Sequence, residues 1–256
     1  MRRNAIPALY LGMEVWTKIE NKIRAIAKNR GYGCDACGAE LFDYPRRRVC
    51  AACEKSLRKA ERVCDKCGRE TVAGGVCLTC KSHIPLFTQG FSPFAYKGGT
   101  AALVNRVKNG DRRLAFFLGE EMAETLAKNL SAREILLVPV PLTKARRRER
   151  GYNQAEELAF SVLDRLHALG YSATLLLTAL EKRKDGKSQK HLGFLDRAKN
   201  VLDAFHLRER KSFKDKTVVL IDDIMTTGAT GSECARLLRN AGAAEVYFLV
   251  AAALPE

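Results

Sequence analysis

The stretch Val218-Val-Leu-Ile-Asp-Asp-Ile-Met-Thr-Thr-Gly-Ala-Thr230 constrains the fold more than any other part of the chain. Its apolar, β-branched run at 218–221 reads as a strand buried on both faces, and 231–240 reads as the helix that follows. A buried strand feeding a helix is the repeating unit of an open α/β sheet, where ligands sit at the carboxyl ends of strands. Thr226, Thr227, Gly228, Ala229 and Thr230 occupy that junction. Amides and hydroxyls gathered at a positive helix N-terminus suit a phosphate, and Gly228 permits a tight turn. Asp222 and Asp223 would repel the same phosphate. They make sense as acceptors for a ribose diol, facing a sugar carbon that gains positive charge during reaction. The expected ligand is therefore a sugar phosphate.

The rest of the second half alternates in the same way. Strands are expected at 91–96, 134–141, 173–180 and 245–252. Helices are expected at 100–109, at 111–129 with Asp111 as cap, and at 155–169, which Gly170 stops. The fold class is α/β, with a mostly parallel sheet and helices on both faces. After 134–141 comes a loop in which Lys144, Arg146, Arg147, Arg148 and Arg150 crowd within seven positions. Guanidinium forks at a strand's carboxyl end suit phosphate oxygens, either of a diphosphate or of a nucleic-acid backbone, and the sequence leaves the two open. A nucleotide P-loop is excluded, because Glu181 stands where the first glycine before Gly186-Lys187-Ser188 should be.

Eight of the nine cysteines form four C-x-x-C pairs: Cys34/Cys37, Cys50/Cys53, Cys64/Cys67 and Cys77/Cys80. Two-residue gaps let both thiolates of a knuckle face one ion, and four thiolates complete the closed tetrahedron of structural Zn2+. Disulfides would need an oxidising compartment that nothing else in the chain supports. Sequential closure and a cross-braced pairing both satisfy the spacing, and the short, Gly-containing gaps favour the sequential one. Cys234, alone on the last helix, reads as a small buried apolar residue. The expected organisation is an amphipathic helix within 1–30, a double zinc-ribbon module at 31–84 and the α/β domain at 86–256. A formal charge of +15 suits a polyanionic partner. No apolar run approaches a membrane span, and the first residues carry no convincing leader cleavage site, so a cytoplasmic protein is expected.

The 218–230 segment resembles the phosphoribosyl-diphosphate (PRPP) motif of type I phosphoribosyltransferases: an apolar strand, two acids, then T-T-G-x-T. The whole chain resembles the ComF (ComFC) family of bacterial competence proteins. The residues that carry this are the C-x-x-C pairs, Phe94-Ala-Tyr96 with Asn105-x-x-Lys108, Val138-Pro-Val-Pro141, Arg148-x-Arg-Gly-Tyr-Asn-Gln154, Arg183 with Gln189 and Leu192, Arg197-x-x-Asn200, and the 218–230 segment. Thr143 and Ala145 depart from the pattern, standing where many relatives carry His and a basic residue. The resemblance implies a zinc ribbon joined to a sheet of the type I phosphoribosyltransferase kind. It also implies PRPP with Mg2+ at Asp222 to Thr230, diphosphate contacts from the 144–150 arginines with Arg183 and Arg197, and a substrate-covering loop at 182–191. Three functions follow from it: a DNA-uptake factor that handles single-stranded DNA, an active transferase using a nitrogenous acceptor, or a non-catalytic PRPP-responsive scaffold. A competence helicase or a recombination-loading protein is the partner it implies. No residue stands out as the general base an acceptor would need.

Overall fold

The strand at the heart of the molecule is the one the sequence marks. In the computed structural model, which describes residues 33–43, 48–183, 204–208 and 213–256, β7 (Thr217–Met225) lies inside a six-stranded parallel sheet. The sheet order is β1 (Gln89–Phe91), β8 (Glu245–Ala253), β7, β3 (Glu134–Pro139) and β4 (Ser172–Leu175), with β2 (Phe94–Ala95) also paired to β8. Val218, Val219, Leu220 and Ile221 are all fully buried, as a strand covered on both faces requires. Among the described residues the helices are α1 (Ala51–Ser56), α2 (Leu78–Ser82), α3 (Gly98–Lys108), α4 (Arg112–Asn129), α5 (Lys144–Arg150), α6 (Gln154–Ala168) and α7 (Ala229–Asn240).

The topology fixes where a ligand can sit. The chain leaves β3 through α6 to reach β4 on one side, and leaves β7 through α7 to reach β8 on the other. The winding direction thus reverses between the neighbours β3 and β7, and the crevice beyond their carboxyl ends is the sheet's switch point. The two strands are in register from Leu136↔Val218 to Pro139↔Ile221, and the Val140 amide donates to the Ile221 carbonyl at 2.8 Å. Whatever follows β3 therefore stands beside whatever follows β7.

By contacts the chain divides into Met1–Ala51 and Ala52–Glu256. The second unit holds the sheet and the cysteine pairs from Cys64 onward. The amphipathic helix expected within 1–30 lies outside the described residues.

Four expectations are corrected. The strand at 91–96 is two short strands, β1 and β2, both against β8. The strand at 173–180 ends at Leu175. The chain then turns, and β5 (Leu180–Lys182) pairs antiparallel with β6 (Phe205–Leu207) in a separate two-stranded sheet. The run 173–180 carries no mark of that turn, because Leu180 and Phe205 are buried in the same core cluster as Val138, Val218 and Leu220. Asp111 precedes α4 but makes no side-chain cap, since Arg106 at 2.5 Å and Arg113 at 3.4 Å take its carboxylate. The 144–150 loop is the helix α5. Thr143, buried and β-extended, accepts from the Arg146 amide at 3.3 Å, and Gly151 closes the far end in the left-handed conformation.

Candidate functional site

At the end of β7 the main chain turns sharply through Gly228, whose φ of +83° an L side chain would resist, and enters α7 at Ala229. The Ala229 amide finds the Thr227 hydroxyl at 3.3 Å. Asp222 and Asp223 stand at the last turns of β7, where the Asp223 amide donates to the Asp222 carboxylate at 2.9 Å. Lys108, at the end of α3, reaches Asp223 with its ammonium at 3.4 Å. Burial first, and the Asp223 charge second, push the Asp222 carboxyl up to about 7, against the pull of the Asp223 amide, Lys108 and Lys182. The junction thus presents two acids flanked by cations, followed by a hydroxyl-lined turn into a helix N-terminus. A diol can be held by the acids and a phosphate by the turn.

Beside it, α5 carries Lys144, Arg146, Arg147, Arg148 and Arg150 from the end of β3. Arg147 forms a fork with Glu156 of α6, at 2.9 Å through Nη2. Lys144 and Arg148 are exposed, and Arg146 and Arg150 are half-buried. The residues after α5 tie it down. The Tyr152 hydroxyl accepts from the Gly110 amide at 2.9 Å and donates to the Val107 carbonyl, which joins α5 to the end of α3 that bears Lys108. Asn153 caps α6 by accepting from the Ala155 amide at 3.1 Å, and donates to the Val140 carbonyl at 3.0 Å. Arg183 follows β5 and lies 3.7 Å from Glu181, a carboxylate that also feels the Lys144 charge. It lines a cavity of about 290 Å³ with His206 and Arg236, to which none of the α5 cations contributes. The part of the expected substrate-covering loop beyond Arg183, and Arg197, lie outside the described residues.

The cysteines close sequentially. Cys34, Cys37, Cys50 and Cys53 form one group, and Cys64, Cys67, Cys77 and Cys80 the other, with the sulfurs of each within 4.8 Å of one another. Knuckle amides point at the thiols, from Cys50 to Cys34 at 3.2 Å and from Cys77 to Cys64 at 3.3 Å. Burial would raise Cys34 and Cys64, yet these amide donors bring both down to about 7. Burial and crowding with neighbouring thiolates instead raise Cys80. Four crowded sulfurs, some favouring the thiolate and others unable to reach it without a cation, are the donor set that tetrahedral Zn2+ fits. Cys234 is fully buried and a member of neither group, as a small core residue.

Three contacts have no signal in the sequence. Lys108 belongs to a recognisable motif, but its pairing with Asp223 depends on how α3 is placed. Glu156 on Arg147 reads from sequence as ordinary helix charge. Arg69, two residues beyond Cys67, is buried and donates through Nη2 to the Thr226 carbonyl at 2.7 Å.

Comparison with known proteins agrees with this geometry. Residues 118–256 match the model of the phosphoribosyl transferase domain. The competence protein ComFC of Bacillus subtilis is 31% identical over 208 residues, covering 78% of this chain and 81% of that protein. Competence protein F of Haemophilus influenzae is 28% identical over 84% of this chain and 94% of its own length. The DNA utilization protein YhgH of Escherichia coli K12 is 26% identical over 77% and 87%. Among solved structures, a hypoxanthine phosphoribosyltransferase from Staphylococcus aureus covers 56% of this chain and 73% of its own at a TM-score of 0.36 and 12% identity, too loose a likeness to carry a statement about substrate. With the ordered cysteine groups, the parallel sheet and a ComFC relative matched over most of both chains, the protein belongs to the ComF family, a zinc-ribbon-type cysteine module joined to a phosphoribosyl transferase domain.

Proposed function

We propose that the protein acts in DNA uptake, binding PRPP at residues 222–230 and single-stranded DNA across the face of α5. The observation that carries this reading is the juxtaposition at the switch point: two acids near the end of β7 and the hydroxyl-lined turn after it stand beside the five cations that follow β3. In this arrangement Asp222 and Asp223 accept from the ribose hydroxyls, the turn at 226–230 takes the 5-phosphate, and α5 faces the diphosphate or a DNA backbone. Mg2+ would arrive with PRPP and offset the charge of its diphosphate. The names of the relatives, competence proteins and a DNA utilization protein, support the biological setting. Handing the strand to a helicase or a recombination-loading protein in the cytoplasm is the matching role for such a factor. Among the described residues no helix is long and apolar enough to cross a membrane.

The test is calorimetry with PRPP and Mg2+. Asp222→Asn combined with Asp223→Asn removes two charged acceptors, each hydrogen bond to a charged group being worth roughly 1.5–3 kcal/mol. Binding should fall below detection while the fold persists. A double variant that binds PRPP as the parent does sinks the assignment.

A further inference from the structure

Arg69 is only 5% exposed, and its Nε has no hydrogen-bond partner among the described residues. A buried guanidinium is costly unless something holds it in place. Here two groups hold it: the Cys67 thiol, which the guanidinium meets as donor and charge, and the phosphate loop, since Nη2 donates to the carbonyl of Thr226, the first residue after β7. On the other side the cysteine knuckle is keyed into the sheet by backbone contact. A Cβ on Gly68 would lie 2.4 Å from the Gly90 carbonyl oxygen, and one on Gly90 would lie 2.5 Å from that of Cys67. The Gly90 amide donates to the Lys66 carbonyl at 2.9 Å, and the Lys66 ammonium donates to the Thr88 carbonyl at 2.8 Å. The four thiols Cys64, Cys67, Cys77 and Cys80 belong to the same buried cluster as Val218, Leu220 and Met225 of β7 and Cys234 and Leu238 of α7. The loop therefore has two anchors at its start. Met225 is pinned by the Leu254 amide at 2.8 Å, and Thr226 by Arg69.

We propose that Arg69 is a positioning residue for the loop at 226–230, through which metal held by Cys64, Cys67, Cys77 and Cys80 sets the shape of the phosphate turn. The physical step is short. A tetrahedral ion fixes the knuckle that carries the Arg69 backbone, and without it no bond holds the four sulfurs together and the knuckle opens. The guanidinium then leaves the Thr226 carbonyl, and the turn loses one of its two anchors. As far as ligand affinity is concerned, the proposal rests on the reading of this loop as the PRPP site.

Two experiments on the full chain test it. In the first, amide hydrogen exchange is followed in zinc-loaded protein during stepwise chelation, with zinc content measured at each step. Exchange at 226–230 should speed up at least tenfold as the second ion leaves, while β3 stays protected. Unchanged protection at 226–230 with both ions gone overturns the proposal. Loss of protection throughout β3 also counts against it, since the metal would then support the whole domain. In the second, Arg69→Met and Arg69→Lys are compared by PRPP calorimetry in the presence of Mg2+. The Met variant should retain two zinc ions and bind at least tenfold more weakly, and Lys should restore part of the loss by donating to the same carbonyl. Parental affinity in both variants overturns the proposal. If the parent itself fails to bind PRPP, the ligand assignment falls, and the exchange experiment still decides the role of Arg69.

Discussion

Two adjacent acids at the end of one strand do not serve alike. Lys108 pairs directly with Asp223, whereas at Asp222 burial and its neighbour's charge outweigh the more distant pull of Lys108 and Lys182, and its carboxyl rises from 3.8 to about 7. The native state then holds a proton that the unfolded chain has already released at the same pH. Stability should consequently fall as pH rises from about 4 to 7 and level off above that. Asp222→Asn removes the titration, so it should flatten the slope and raise stability at pH 8 by about 1–2 kcal/mol, read as a shift in the urea midpoint. A variant whose midpoint follows pH as the parent's does would place the titration elsewhere. PRPP should draw the same proton off, because the diol needs a charged acceptor. Its affinity should weaken about tenfold for each pH unit below 7. Both acids were legible in the sequence, since two carboxylates before a T-T-G-x-T turn have few other uses. Their difference was not, because it depends on the placement of α3, far away in the chain.

At the scale of elements, sequence patterning succeeded where local rules decide and failed where tertiary partners do. The strand β7 and helices α4, α6 and α7 follow from apolar periodicity and stop signals that need no distant partner. The basic segment 144–150 misled, because five cations in seven residues look like a solvated loop, and only the Thr143 cap and the Gly151 terminator reveal a helix. The departure at Thr143 is itself the cap. Helical geometry also sorts the arginines, since Arg147 is engaged by Glu156 while Arg148 is exposed. On single-stranded DNA each neutralised phosphate contributes about 0.7 to the slope of log affinity against log salt. Lys144, Arg146, Arg148 and Arg150 would give a slope near 3. Fluorescence anisotropy with an oligothymidylate should show Arg148→Gln and Arg150→Gln each reducing that slope by about 0.7, with Arg147→Gln changing it little. An equal effect at Arg147 would mean that the α6 pairing gives way on binding. A slope indifferent to all three substitutions would move the DNA contact off α5 altogether.

At the scale of the whole molecule, the two cysteine groups are alike in sequence and unlike in setting, which spacing could not have revealed. In the first, Cys37 is exposed and Cys50 and Cys53 are half-buried, whereas in the second all four are buried. The second is also stitched to the end of the chain: the Glu256 amide donates to the Glu70 carbonyl at 3.0 Å, and the Leu78 amide donates to the Glu256 side chain at 2.6 Å. Elemental analysis should find about two zinc ions per chain, since each closed tetrahedron takes one. Chelation should then proceed in two phases, because a ligand exchange that needs solvent access is fast at an exposed thiolate and slow at a buried one. The first ion should leave quickly without altering the thermal transition of the phosphoribosyl transferase domain. The second should leave only as its own buried knuckle opens, with the sheet still folded, and its loss should lower the transition, because metal bound to the native state alone stabilises it by mass action. A single ion per chain would reject one of the two sites. Monophasic release, or a transition that drops with the first ion, would show that the groups are not separated by burial as the geometry requires.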